Sequence, residues 1–177
     1  MHKLLALLVT FFLVQTYWLK DAQNYVVEAN NNATLVDSIT QKEKNGQTTV
    51  TKFIADDVTK LSVTYDYDNL VELKISYYSK NNFLFAQRMV GQDVLIYKRE
   101  RLANEPYASL IESNTYFKSA SFGIRKSRKI DIHESDNIEE LKLKLKKKKF
   151  DVDTLDNTVY KSIAGKLLQL KTTHNIK

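Results

Sequence analysis

The chain has 177 residues, 43% hydrophobic and 27% charged, and its 27 Lys and Arg outnumber 21 Asp and Glu for a net charge of +6. That balance supports one folded domain and excludes wholesale disorder. Cysteine is absent, which removes disulfides, thiol catalysis, zinc ribbons and iron–sulfur clusters.

His2 and Lys3 form a short basic start, followed by the apolar run Leu4 to Val14, LLALLVTFFLV. That length fits the h-region of an export signal, because a membrane span needs about 20 apolar residues. Val14-Gln15-Thr16 and Ala22 offer two small-residue ends for cleavage; residues 1–22 are read as the signal. The rival is an uncleaved N-terminal anchor with Tyr17 and Trp18 at the interface. Export without cysteine points to a bacterial envelope, since small secreted eukaryotic domains lean on disulfides. The expected location is periplasmic or secreted, with an N-terminally anchored form as the alternative.

Residues 23–46 are polar and Asn-rich and read as a lead-in that ends at the Asn45-Gly46 turn. Over residues 47–133 the period becomes two. LSVTYDY puts Leu61, Val63, Tyr65 and Tyr67 on one face; LVELKISYY does the same with Val71, Leu73, Ile75 and Tyr77. Such alternation marks half-buried antiparallel strands. Gly91-Gln92 separates FLFAQRMV from DVLIYKR and predicts a hairpin. LIESNTYFK, FGIRK and KIDIH extend the meander.

Residues 134–177 predict two helices. Asp136 and Glu139 have capping-box spacing, and Ile138, Leu141 and Leu145 recur at helical intervals. LKLKLK also alternates like a strand, but Glu, Leu and Lys favour helix. Asp153 is the expected cap of the second helix, with Leu155, Val159, Ile163 and Leu167 down one face. Gly165 inside it either permits close packing or ends it early. The expected fold is α+β: an antiparallel β-meander sheet packed with C-terminal helices, preceded by a signal segment. Leu73 and Ile75 are expected to face those helices.

No nucleophile elbow, P-loop or dinucleotide fingerprint is present. No catalytic, metal or cofactor-binding residue is assigned, and no cofactor is expected. DYDN at 66–69 and DVDTLDN at 151–157 open like a Ca²⁺ loop but lack its Gly and distal Glu. HESD at 133–136 gathers triad residue types, yet adjacency in sequence does not align a nucleophile, base and orienter. A strand end leading into a helix N-terminus accounts for it.

Two features remain. ISYYSKNNFLFAQRMVGQDVLIYKRER, residues 75–101, mixes aromatic and basic side chains. Tyr77, Phe83, Phe85 and Met89 suit a packed face; Tyr78, Arg88, Tyr97, Arg99 and Arg101 are left as a candidate ligand or partner surface. Cross-strand packing is the competing explanation. The second feature is a basic run in which Lys146, Lys147, Lys148 and Lys149 could contact an anionic surface. A solvated helix end explains the same lysines.

These features predict an exported bacterial cell-envelope protein, a non-catalytic binding or interaction module. Its expected partner is an envelope protein or an anionic envelope component. Nucleic acid is not expected, and membrane contact is confined to an uncleaved N-terminus or the basic run. The alternative is a small periplasmic hydrolase using His133 with nearby carboxylates.

Overall fold

The period-two alternation folds into one antiparallel sheet whose strand order in space equals the order in sequence. A computed structural model describes residues 2–67, 71–94 and 105–176, with side chains from residue 17 onward and Val94 excepted. Its strands are β1 (Thr34–Glu43), β2 (Gly46–Ala55), β3 (Val58–Tyr67), β4 (Leu73–Lys80), β5 (Phe83–Val94), β6 (Ala108–Ser119), β7 (Phe122–Ile132) and β8 (Asp151–Leu155). Helix α1 (His2–Asn31) precedes the sheet, α2 (Ile138–Lys147) lies between β7 and β8, and α3 (Asn157–Thr173) closes the chain. The fold is α+β with an antiparallel meander. Short polar turns make the meander possible: Asn81 and Asn82 both adopt positive φ, 49° and 63°, as a tight hairpin turn requires.

Helices pack on both faces of the sheet, covering its central strands in part on each side and leaving β1 and most of β8 exposed. α3 lies over Val50, Leu61, Val63, Tyr77 and Phe117. Its Tyr160 stacks on Phe83 at 5.6 Å and meets Phe117 edge-on at 5.1 Å. Ile75 joins this cluster; Leu73 is half-buried on the same side of β4. Tyr78, next to Tyr77 and therefore on the opposite side, packs with Val26, Ala29, Phe85 and Tyr116 beneath α1. Leu141 and Leu145 of α2 meet Ala108, Leu110 and Ile132. Residues 108, 110, 112, 114 and 116 alternate onto one face of β6. Hence α1 and α2 share that face, and Glu112 and Asn114 lie between them.

Several local expectations need correction. The polar lead-in is the packed end of α1 followed by edge strand β1. Helix α1 runs across residue 22, with Trp18 and Leu19 packed against the same cluster as Ala22. No hairpin forms at Gly91-Gln92: β5 runs through, pairing Gly91 with Ile111 and Gln92 with Leu110. Gly91 has φ 135°, and a Cβ there would collide with the Glu72 carbonyl, so the glycine serves a close strand approach. The cap of α2 is Asn137, whose Oδ1 accepts from the Glu139 and Glu140 amides. Asp136 instead accepts from the His133 amide. α3 is capped by Asp156; Asp153 lies in β8, paired with Arg125 at 3.0 Å. Gly165 neither ends α3 nor packs closely, since nothing lies within 4 Å of a Cβ built there. Among the described residues no helix is long and apolar enough to cross a membrane.

Candidate functional site

Because α1 and α2 cover the same face without meeting over its middle, a cleft of about 610 Å³ opens between them. Its floor comes from adjacent strands: Lys60 of β3, Lys74, Ser76 and Tyr78 of β4, Arg88 and Val90 of β5, and Leu110 and Glu112 of β6. Asn30, in the last turn of α1, forms one wall. Glu139, Lys142, Leu143, Leu145 and Lys146 of α2 form the other. Ser62 and Ser76 hydrogen-bond each other at 2.8 Å between neighbouring strands, which settles two buried hydroxyls.

Positive charge exceeds negative charge in the cleft. Glu112 is held by Arg128, whose Nε donates at 2.9 Å, and lies 4.0 Å from Arg88. The same Arg128 donates to the Lys146 and Lys148 carbonyls at 2.7 and 3.1 Å, tying the open end of α2 to the sheet. Glu139 is engaged by Lys142 at 2.6 Å. Lys60 has no carboxylate partner among the described residues. Its ammonium donates to Asn30 Oδ1 at 2.8 Å and sits over the Phe53 and Tyr78 rings at 4.9 and 6.0 Å. Burial, then the like charges of Lys74 and Arg88, pull the Lys60 pKa below its ordinary value. Burial pushes the Tyr78 phenol up, partly offset by its hydrogen bond to Asn30.

A second cleft of about 280 Å³ lies at the opposite end of the α1 seat, lined by Trp18, Tyr25, Phe83, Phe85, Lys80 and Lys118 among others. The Trp18 indole nitrogen beside it is buried and makes no hydrogen bond to described residues.

Family models, curated proteins and solved structures all fail to match this chain.

Tyr78 and Arg88, singled out as a possible ligand surface, come together on the floor of the larger cleft. Tyr78 is only 1% exposed and presents little beyond its hydroxyl edge. Tyr97, Arg99 and Arg101 lie outside the described residues. Lys146 reaches the cleft wall, whereas Lys147, Lys148 and Lys149 do not line it; the Lys148 ammonium donates to the Lys129 carbonyl at 2.9 Å. His133 lines neither cleft, and its amide is used in the turn that leads to α2. Among the described residues no group of three His, Asp or Glu is placed to hold a metal. Sequence reasoning missed Lys60, Lys74 and Asn30. Lys60 and Lys74 alternate with the apolar face, a pattern that also describes solvent-facing lysines; only α1 and α2 turn that side into a site.

Proposed function

We propose that this chain is a non-catalytic binding module exported to the bacterial cell envelope, periplasmic or secreted, with the cleft between α1 and α2 as its ligand site. The observation that carries this reading is the cleft itself. Its volume is within the range of small-molecule sites, about 300–1,000 Å³, and polar groups from both helices and four strands converge on it. Five cations and neutral donors line it together with three carboxylates, Glu72, Glu112 and Glu139, the last two engaged by Arg128 and Lys142. They can hold a ligand, and among the described residues no nucleophile with an adjacent base and orienter faces it.

Export rests on the basic start and the apolar run Leu4 to Val14. Packing favours one of the two cleavage ends. Cleavage after Thr16 leaves the α1 face intact from Trp18 to Ala29; cleavage after Ala22 strips Trp18, Leu19 and Ala22 from the cluster.

Native mass spectrometry of the protein taken gently from its host tests the binding reading. The expected result is a bound small molecule that is lost from Val90→Trp, which fills the cleft at a side chain already 39% exposed. A ligand-free wild-type protein, or a ligand retained by the Trp variant, would remove the cleft from its role.

A further inference from the structure

We infer that the cleft takes an amphipathic anion, its phosphate or carboxylate head at Lys60, Lys74 and Arg88 and its hydrocarbon tail along Val90, Leu110 and Leu143. The inference rests on the binding reading above and specifies its ligand.

The head group follows from charge. Lys60, Lys74 and Arg88 stand on three successive strands and open onto one cleft. The nearest carboxylate to Arg88, Glu112, is already bonded to Arg128. Among the described residues Lys60 meets an amide oxygen and aromatic rings and no carboxylate. Like charges held together in a partly desolvated site raise its free energy, and a bound anion relieves all three at once. Burial first, and then these like charges, lower the Lys60 pKa. The Tyr78 hydroxyl is already spent on Asn30 Oδ1 at 3.0 Å.

The tail follows from the remaining surface. Val90 and Leu143 are 39% and 58% exposed, and both line the cleft with buried Leu110 and Leu145 beneath them. A bare inorganic anion leaves this apolar strip in water. A hydrocarbon chain covers it, and each added methylene is expected to tighten binding about two- to fourfold.

Equilibrium dialysis of the folded protein, below micelle-forming concentrations, tests both halves with alkyl phosphates, alkyl carboxylates, inorganic phosphate and a neutral alkyl glucoside. The alkyl anions should bind, more tightly as the chain lengthens and more weakly as salt rises; phosphate versus carboxylate identifies the head. Lys60→Gln with Lys74→Gln should weaken binding at least about tenfold, the worth of a charge-assisted hydrogen bond. If that pair fails to fold, Lys74→Gln alone, at an exposed position, serves in its place. Leu143→Ser should flatten the chain-length dependence, while Lys147→Gln with Lys149→Gln, outside the cleft, should change nothing. Equal binding of the glucoside, wild-type affinity in the lysine variants, or equal loss in the control pair overturns the anionic head. Inorganic phosphate binding as tightly as its alkyl esters overturns the tail. Should none of the probes bind while the host-derived ligand is still displaced by Val90→Trp, the ligand class is wrong and the cleft stands. Loss of both removes the site.

Discussion

The Tyr78 hydroxyl, midway along β4, donates to Asn30 Oδ1 in the last turn of α1 at 3.0 Å. Lys60 donates to the same oxygen at 2.8 Å, so one side-chain amide fixes the helix end against two strands. Tyr78→Phe keeps the buried ring and should cost about 1 kcal/mol in a denaturant melt. Asn30→Ala removes both bonds and should cost more. No measurable loss in either variant would show that the helix end is held by apolar contacts alone.

Processing is expected at the start of the packed face. Intact mass of protein from its host should begin near Tyr17. A chain beginning at residue 23 lacks Trp18, whose ring meets Phe122 edge-on at 6.0 Å, together with Leu19 and Ala22. It should be less stable than one beginning at residue 17 by about 2–4 kcal/mol. Identical thermal melts for the two forms would remove α1's first packed turns from the core.

The helix caps give a paired test. Asp156 accepts from the Thr158 and Val159 amides at 3.0 and 3.2 Å, so Asp156→Ala should cost about 1 kcal/mol or more. Asp153→Ala loses an exposed ion pair with Arg125 and should cost well under 1 kcal/mol. The reverse order in chemical denaturation would place the start of α3 earlier than Asn157.

Gly165 stands mid-helix with open space where a side chain would go. Gly165→Ala should raise stability by about 0.5–1 kcal/mol through a less flexible unfolded chain and better helix propensity. A lower melting temperature would mean that something does pack there.

Alkali should unfold the protein. Burial raises the phenol pKa of Tyr65, Tyr77, Tyr78 and Tyr116. A folded pKa above the unfolded one contributes stability that is complete below about pH 10 and is lost as pH climbs through the folded value. Lys60, with a lowered pKa, works the other way: its charged form is penalised in the fold, and the penalty fades as pH rises. Four phenols outweigh one ammonium. The part of the tyrosinate absorbance that comes from these four phenols should therefore appear together with loss of ellipticity, and Tyr77→Phe should move both to higher pH. Ionisation of these phenols with the fold intact would contradict their burial.

The meander was legible because alternation is a local signal. Val63, Ile75 and Tyr77 announce one face of β3 and β4 whatever surrounds them, and Leu141 and Leu145 announce a helix. Coverage of the second face was not, because Tyr78, Lys60 and Lys74 are equally compatible with water above them. Nor was α1's reach to Asn31, since Val26 and Ala29 sit among polar neighbours and gain their role only from the sheet. The two caps were misplaced by one and three residues for a related reason: Asp and Asn crowd both helix starts, and backbone geometry selects among them. Of the cleft, Tyr78, Arg88 and Lys146 were visible as residue types, but their convergence depends on which helix covers which strands.

A sheet whose strands neighbour each other in chain order sets an order of events. Each hairpin can close as soon as its second strand exists, without waiting for a distant segment, so pairing proceeds by zippering at low contact order. α1 is different. It leads the chain, yet its seat includes Tyr78 and Phe85 and is finished only by Tyr116 of β6. The helix must therefore stay undocked, with its apolar stripe exposed, until most of the sheet has been made. That delay makes docking of α1 a late event in folding, one that follows the strand pairing on which its seat depends.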